Sequence, residues 1–125
     1  MTTLTESRHA GEFLVSEANG DRSRATGTLL SGQNLSAGTV LGVTAAGKLK
    51  ALPGDLDSNG GLEAAAKGIL WDNVDASGGD VAGVAYIARD AEVNGAELTY
   101  PPETTNGGEE ALTNASLALL GIIVR

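Results

Sequence analysis

The sequence of 125 residues contains no cysteine, which excludes disulfide bonds and thiolate metal sites. Its only histidine is His9, so neither a catalytic triad with a histidine base nor a histidine-rich metal site can be built inside the fold. The longest apolar run covers residues 117–124 and contains Gly121, whereas a membrane span needs about 20 apolar residues. The first residues lack the basic-then-apolar order of a signal peptide, so we expect a cytoplasmic site of synthesis.

Aromatic residues are also scarce, with one Phe, one Trp and two Tyr. Large aromatics usually dominate buried area in cores and interfaces, whereas the nineteen alanines of this chain bury little each. The length suits one domain with a modest core. We therefore expect a single small domain that gains stability from neighbouring molecules.

The formal charge is −8, and it is unevenly distributed along the chain. Residues 1–50 carry five basic and four acidic residues, whereas residues 51–125 carry three basic and twelve acidic residues. So acidic a chain repels nucleic acid and anionic membrane surfaces, and we expect neither as a partner. The asymmetry suggests that the amino-terminal part meets a partner; a solvated acidic surface without directional meaning is the alternative.

Short apolar and β-branched segments between glycine-rich turns predict a mainly β fold. The predicted strands cover residues 12–16, 26–30, 68–71, 81–88 and 122–124, with a hairpin over 38–52. One helix is predicted from Glu109 to Leu120, with Leu112, Ala115, Ser116 and Leu119 on its apolar face and Gly121 as its stop. Polar residues 1–11 predict a flexible arm, which leaves 12–125 as the domain.

Two segments imitate ligand-binding motifs. Residues 42–49 match the start of a phosphate-binding loop, but Leu49 stands where the motif needs Ser or Thr, so a hairpin turn is the better interpretation. Residues 55–60 begin like a calcium loop, but Ala66 stands where the loop needs a bidentate Glu. An ordinary surface loop is favoured there, and weak calcium binding stays open.

Acid–base chemistry and sugar binding have little support. Asp72 and Asp75 flank the end of a predicted strand, but no motif frames them as a catalytic pair. A sugar site needs aromatic platforms, for which Trp71, Tyr86 and Tyr100 are the candidates after Phe13. We expect these aromatic residues to anchor the core instead.

Several blocks of sequence, taken in order, resemble the bacteriophage head decoration proteins of the lambda type. The blocks are EFLVSEANG at 12–20 with Ser23 and Arg24 behind it, LSAGTVLG at 35–42, AKGIL at 66–70 followed by the Asp75-Ala76 turn, RDAEVN at 89–94 and LGIIVR at 120–125. Together they extend over nearly the whole predicted domain. No block is specific alone, and the resemblance rests on the set and its order.

The resemblance implies a small, single-domain, β-clip-like fold and a structural role without catalysis or cofactor. Members of the family bind the outside of the expanded phage head as homotrimers at three-fold positions. There they hold neighbouring copies of the major capsid protein together against the pressure of packaged DNA. For this chain the resemblance implies synthesis in a host bacterial cytoplasm and a place on the outer surface of the virion.

A flexible arm beside a short strand suits addition to an exposed edge of a capsid sheet. The candidate capsid-binding residues are Leu4, Thr5, Glu12, Phe13, Leu14 and Val15. If the first eleven residues act only in binding, their deletion should abolish capsid binding and leave thermal unfolding unchanged. The alternative function is a small acidic β-domain that binds carbohydrate or another surface partner, with weak calcium binding.

Overall fold

The computed structural model describes residues 6, 8–53, 65–101 and 109–125. The calcium-like segment at 55–60 and the candidate binding residues Leu4 and Thr5 lie outside these ranges. The elements are β1 (Leu14–Glu17), β2 (Arg24–Leu29), β3 (Asn34–Leu35), β4 (Val40–Val43), β5 (Leu49–Ala51), β6 (Gly68–Leu70), β7 (Val74–Asp75), β8 (Val81–Ile87), β9 (Ala91–Val93), α1 (Glu109–Leu119) and β10 (Ile122–Val124). The predicted class, mainly β with one short C-terminal helix, is confirmed.

Five strands close into a barrel in the order β2-β5-β4-β6-β8. Successive side chains of a strand point to opposite faces, and β4 and β6 bury both faces. Leu41 and Leu70 pack in one buried cluster, whereas Val40 and Ile69 pack in a second cluster. This two-sided burial explains why these strands are continuously apolar in the sequence instead of alternating.

The hairpin predicted over 38–52 is confirmed as the antiparallel pair β4–β5, in which Val43 lies opposite Leu49. Its turn is closed by the backbone N–H of Thr44, which donates to the carbonyl oxygen of Lys48 at 2.8 Å. The segment that imitates a phosphate-binding loop is therefore two strands and a turn, with no helix to receive a phosphate.

A second sheet has the order β1-β9-β10, with β9 antiparallel to β1 and parallel to β10. This sheet, α1 and the barrel share one hydrophobic core. The most buried residues of that core are Phe13, Val40, Ile69, Ile87, Val93, Leu117 and Ile122. The sequence did not reveal β9, because three residues are too few for a periodic signal. A separate pair, β3 and β7, was also missed for this reason.

Helix α1 forms where it was predicted, but the apolar face assigned to it was wrong. Thr113 and Leu117 are fully buried, whereas Leu119 is 88% exposed. The tight turn after the helix determines which face of α1 is buried. In this turn the N–H of Gly121 donates to the carbonyl oxygen of Ala118, and β10 starts one residue later. Because β10 must reach β9 within that turn, the face of Thr113 and Leu117 is directed to the core.

The hydroxyl of Thr113 is fully buried and has no hydrogen-bond partner within the described residues. An unsatisfied buried polar group costs about 1–3 kcal/mol. We therefore expect Thr113→Val, which keeps the shape and removes the hydroxyl, to raise the free energy of unfolding by about 1 kcal/mol in urea titrations. Thr113→Ser keeps the hydroxyl but loses a methyl group, and should be less stable than the parent. A valine variant less stable than the parent would contradict this account.

Candidate functional site

The amino-terminal segment from Arg8 to Phe13 lies against the domain before it enters β1. The carbonyl oxygen of Arg8 accepts a hydrogen bond from Nδ2 of Asn73 at 2.9 Å, and its guanidinium donates to the carbonyl oxygen of Glu97. Further along, the N–H of Gly11 donates to the carbonyl oxygen of Trp71 at 2.9 Å. Residues 8–11 of the predicted arm therefore pack on the domain, and a separate arm in residues 1–7 stays a prediction.

Trp71 is the centre of this attachment. Gly11 has a φ of +68° and lies so close to the indole that a Cβ there would overlap the ring, so only glycine fits. Phe13 meets the indole edge-on, with 6.1 Å between ring centroids. The guanidinium carbon of Arg24 lies 4.0 Å from the ring centroid, a cation–π contact. The entry to β1 is thus held to the barrel by packing against one aromatic side chain.

The exit from β1 is fixed by an ion pair. Nη2 and Nε of Arg24 donate to the two carboxylate oxygens of Glu17 at 2.7 and 3.0 Å. Such two-point pairing fixes the orientation of both groups. The hydrogen bond to Glu17 raises the pKa of Arg24 above its ordinary value. Glu17 ends β1 and Arg24 begins β2, so the short strand is held at both ends.

Strand β1 lies at an edge of its sheet, because within the described residues it pairs with β9 alone. Its register shifts between Leu14 and Ser16, which places Val15 in a β-bulge with 55% of its surface exposed. An edge strand presents unpaired backbone N–H and C=O groups to a further strand. This edge offers the geometry that strand addition requires.

The outer face of the same sheet carries a small polar network. Ser16 donates to Oε2 of Glu92 at 2.8 Å, and Nε of Arg125 donates to Oε1 at 3.0 Å. The hydrogen bond from Arg125 and then that from Ser16 lower the pKa of Glu92, so this carboxylate stays ionised at neutral pH. Ile123 lies beside Glu92 in the register and is 52% exposed. The face therefore combines the ion pair of Glu92 and Arg125 with an exposed apolar side chain.

The structure separates the predicted site residues. Glu12 and Val15 are exposed, and Leu14 is half-buried. Phe13 is fully buried in the core, and its carbonyl oxygen already accepts a hydrogen bond from the N–H of Asn94. A capsid contact by the side chain of Phe13 would need the core to open. Glu12, Leu14 and Val15 can present side chains or backbone at the free edge.

Sequence reasoning missed the residues that hold the amino-terminal segment, namely Arg8, Asn73 and Glu97. Arg8 lies 65 residues from Asn73 and 89 from Glu97 along the chain. Contacts over such distances leave no periodic pattern in one sequence. Arg8, an isolated basic residue in a polar segment, was the only local sequence feature that pointed to these contacts.

The other candidate groups have structural tasks. Tyr86 is 6% exposed, and Trp71 and Tyr100 pack against the core, as expected for core anchors. Asp75 accepts hydrogen bonds from Ser77, which lower its pKa as in an ordinary capped turn. In the described ranges no three acidic or histidine side chains gather to hold a metal ion, and no helix there has the length and hydropathy to cross a bilayer.

Comparison with known proteins agrees with the resemblance of the sequence blocks. A search of curated proteins found no match to this chain. The family model described as "Bacteriophage lambda head decoration protein D" matches residues 3–122, which includes the amino-terminal segment, the barrel, α1 and the strands β1 and β9 of the second sheet. Because this match extends over nearly all of the 125 residues, the chain belongs to the bacteriophage lambda head decoration protein D family, whose members are structural components of the phage head.

Proposed function

We propose that this decoration protein binds the major capsid protein on the outer surface of the expanded head, as a homotrimer at three-fold positions, and stabilises the shell against the pressure of packaged DNA. Family membership supports the role in decoration. In this proposal the protein is made in the host cytoplasm and acts on the virion by binding alone. In this proposal the protein performs no catalysis.

The observation that carries the proposal is the held edge strand β1. Contacts to Trp71 fix its entry and the pair of Glu17 with Arg24 fixes its exit, so its free backbone edge is ordered before binding. A preorganised strand loses less conformational entropy when a partner strand adds to it. We propose that residues 1–7, together with this edge, form hydrogen bonds with a capsid segment.

Stabilisation then follows from mass action. A ligand that binds the assembled shell but not its dissociated subunits shifts the equilibrium towards the shell. Ordering a binding segment costs roughly 1–2 kcal/mol per residue before contacts compensate. A trimer offsets this cost, since three segments attached to one unit bind with an avidity above that of each alone.

Helix α1 offers a surface suited to contact between copies. Its outward face is apolar and exposed, and it consists of Ala111, Ala115, Ala118 and Leu119. These positions follow the i, i+4, i+7, i+8 spacing of one helix face. Small side chains let backbones approach closely, which suits packing about a three-fold axis. We include this face in the proposal as the trimer contact.

Co-sedimentation with expanded, undecorated heads of the protein's own phage tests the proposal. We expect saturation near one bound copy per capsid subunit, and greater resistance of the decorated heads to heat and to chelators. Cryo-EM of these heads should show the copies grouped in threes on the outer surface. Unexpanded heads are the matched control and should bind far less.

Three results would overturn the proposal in whole or in part. Absence of saturable binding to expanded heads would exclude decoration by this mechanism. Isolated single copies on the shell would exclude the trimer and with it the role of the α1 face. Binding of full stoichiometry without any gain in shell stability would leave decoration in place and remove stabilisation.

A further inference from the structure

Two Asn-Gly pairs within the described residues occupy opposite environments. Asn19-Gly20 lies in the turn between β1 and β2, and Asn94-Gly95 follows β9. The side chain of asparagine can be attacked by the backbone nitrogen of the next residue, and glycine hinders that approach least. The local hydrogen bonds therefore decide which pair can react in the folded protein.

The first pair is unrestrained. Asn19 and Gly20 are both exposed, and Gly20 has a φ of +67° with nothing within 4 Å of its Cβ position. Within the described part of the chain, no hydrogen bond involves the side chain of Asn19 or the N–H of Gly20. Both reacting groups are open to water and free to reach each other.

The second pair is held in place. The N–H of Gly95 donates to the carbonyl oxygen of Arg125 at 3.0 Å, and Oδ1 of Asn94 accepts from the N–H of Ala96 at 3.0 Å. The N–H of Asn94 donates to the carbonyl oxygen of Phe13 at 2.8 Å. Nucleophile and electrophile are thus bound to different partners, and reaction requires this region to open first.

We propose that Asn19 is a site of spontaneous deamidation and isoaspartate formation in the folded protein, and that Asn94 is protected. The nitrogen of Gly20 forms a bond to Cγ of Asn19, the bond from Cγ to the amide nitrogen breaks, and ammonia leaves with the proton of the Gly20 N–H. Water then opens the cyclic imide at Cγ, which gives aspartate, or at the main-chain carbonyl carbon, which gives isoaspartate. Water is the only co-reactant, and no oxidant or reductant takes part.

The modification adds one negative charge to a turn whose ends are fixed. The hydroxyl of Ser23, which is fully buried, accepts from the N–H of Ala18 at 2.9 Å and donates to the carbonyl oxygen of Asp90 at 2.7 Å. The extra backbone carbon of isoaspartate must therefore be absorbed by the exposed residues between Ala18 and Ser23. The inference does not depend on capsid binding and applies to the free protein.

The test uses the folded full-length protein, kept at 37 °C and mildly alkaline pH and sampled over time. Peptide mapping by mass spectrometry measures the deamidated fraction at Asn19 and Asn94 in the same tube, so Asn94 is an internal control. We expect Asn19 to react at least about tenfold faster than Asn94. In denaturant the two rates should converge, because both pairs are then Asn-Gly in an open chain. Asn19→Gln should abolish the rapid deamidation in the peptide that contains residue 19 and leave the rate at Asn94 unchanged.

Equal rates at the two sites in the folded protein would overturn the proposal. A difference that persists unchanged in denaturant would also overturn it, since neighbouring residues and not the fold would then be the cause. Detection of isoaspartate at Asn19 by protein isoaspartyl methylation, with none at Asn94, would support it. Detection of aspartate alone would exclude the isoaspartate branch.

Discussion

Deletion of residues 1–7 is expected to weaken binding to expanded heads by at least about a hundredfold, because the proposed trimer would lose three attached binding segments at once. The thermal unfolding of the free protein should change little, since Arg8 is the first of the described residues that anchors the segment to the domain. Co-sedimentation measures the first quantity and differential scanning calorimetry the second. Full binding by the shortened protein would exclude these residues from the capsid contact.

The stability of the shortened protein depends on where the deletion ends. Removing residues up to Gly11 would also remove its hydrogen bond to Trp71 and the contacts of Arg8 with Asn73 and Glu97. Such a variant should unfold at a lower temperature, contrary to the expectation from sequence that all eleven residues act only in binding. A matched control keeps the length and replaces residues 2–7 by a Gly/Ser sequence. Retained binding by this control would assign the contact to backbone hydrogen bonds, and lost binding to specific side chains.

Gly68→Ala is expected to destabilise the fold by about 3 kcal/mol, which lowers the melting temperature by roughly 10 °C in a domain of this size. Gly68 is buried in β6 opposite Leu41 of β4. A Cβ there would overlap the carbonyl oxygen of Ile87 and lie 2.7 Å from Cδ2 of Tyr86. The obstacle is partly backbone of β8, so the barrel itself must shift to make room.

Gly78→Ala is the matched control for this substitution. Gly78 is exposed in the turn before β8, and nothing lies within 4 Å of its Cβ position. Its alanine variant should unfold at the parent's temperature or slightly above, because alanine reduces the entropy of the unfolded chain. A Gly68 variant as stable as the Gly78 variant would show that β6 and β8 are not closely packed at this point.

Much of the fold could be predicted because the longer elements carry local signals. The β4–β5 hairpin has β-branched and alternating residues on either side of a turn that contains Gly47, and Gly121 follows shortly after α1. β9 could not be predicted: it has three residues, and its neighbours β1 and β10 come from opposite ends of the chain. The rotation of α1 also escaped prediction, since it depends on the pairing of β10 and not on the helix's own pattern.

The candidate site could be predicted only in outline. The sequence placed a binding strand near residues 12–16, and the structure has an edge strand at Leu14–Glu17. It could not tell that Phe13 points to the core while Val15 bulges outward, because a β-bulge breaks the alternation from which facing is inferred. The contacts of Arg8 and Trp71 join distant parts of the chain and become visible only in three dimensions.

The closed barrel also bears on the solubility of copies that have not yet met a shell. A closed barrel has no free strand edge, so strand-to-strand aggregation in the described part of the molecule can start only at the β1–β9–β10 sheet or at the short β3–β7 pair. The bulge at Val15 interrupts one edge of that sheet, and a formal charge of −8 repels like copies at long range. Any strand that adds to the proposed capsid-binding edge must therefore match this bulge and approach an acidic surface. A second copy of the chain carries the same negative charge, so we expect little self-association before heads expand.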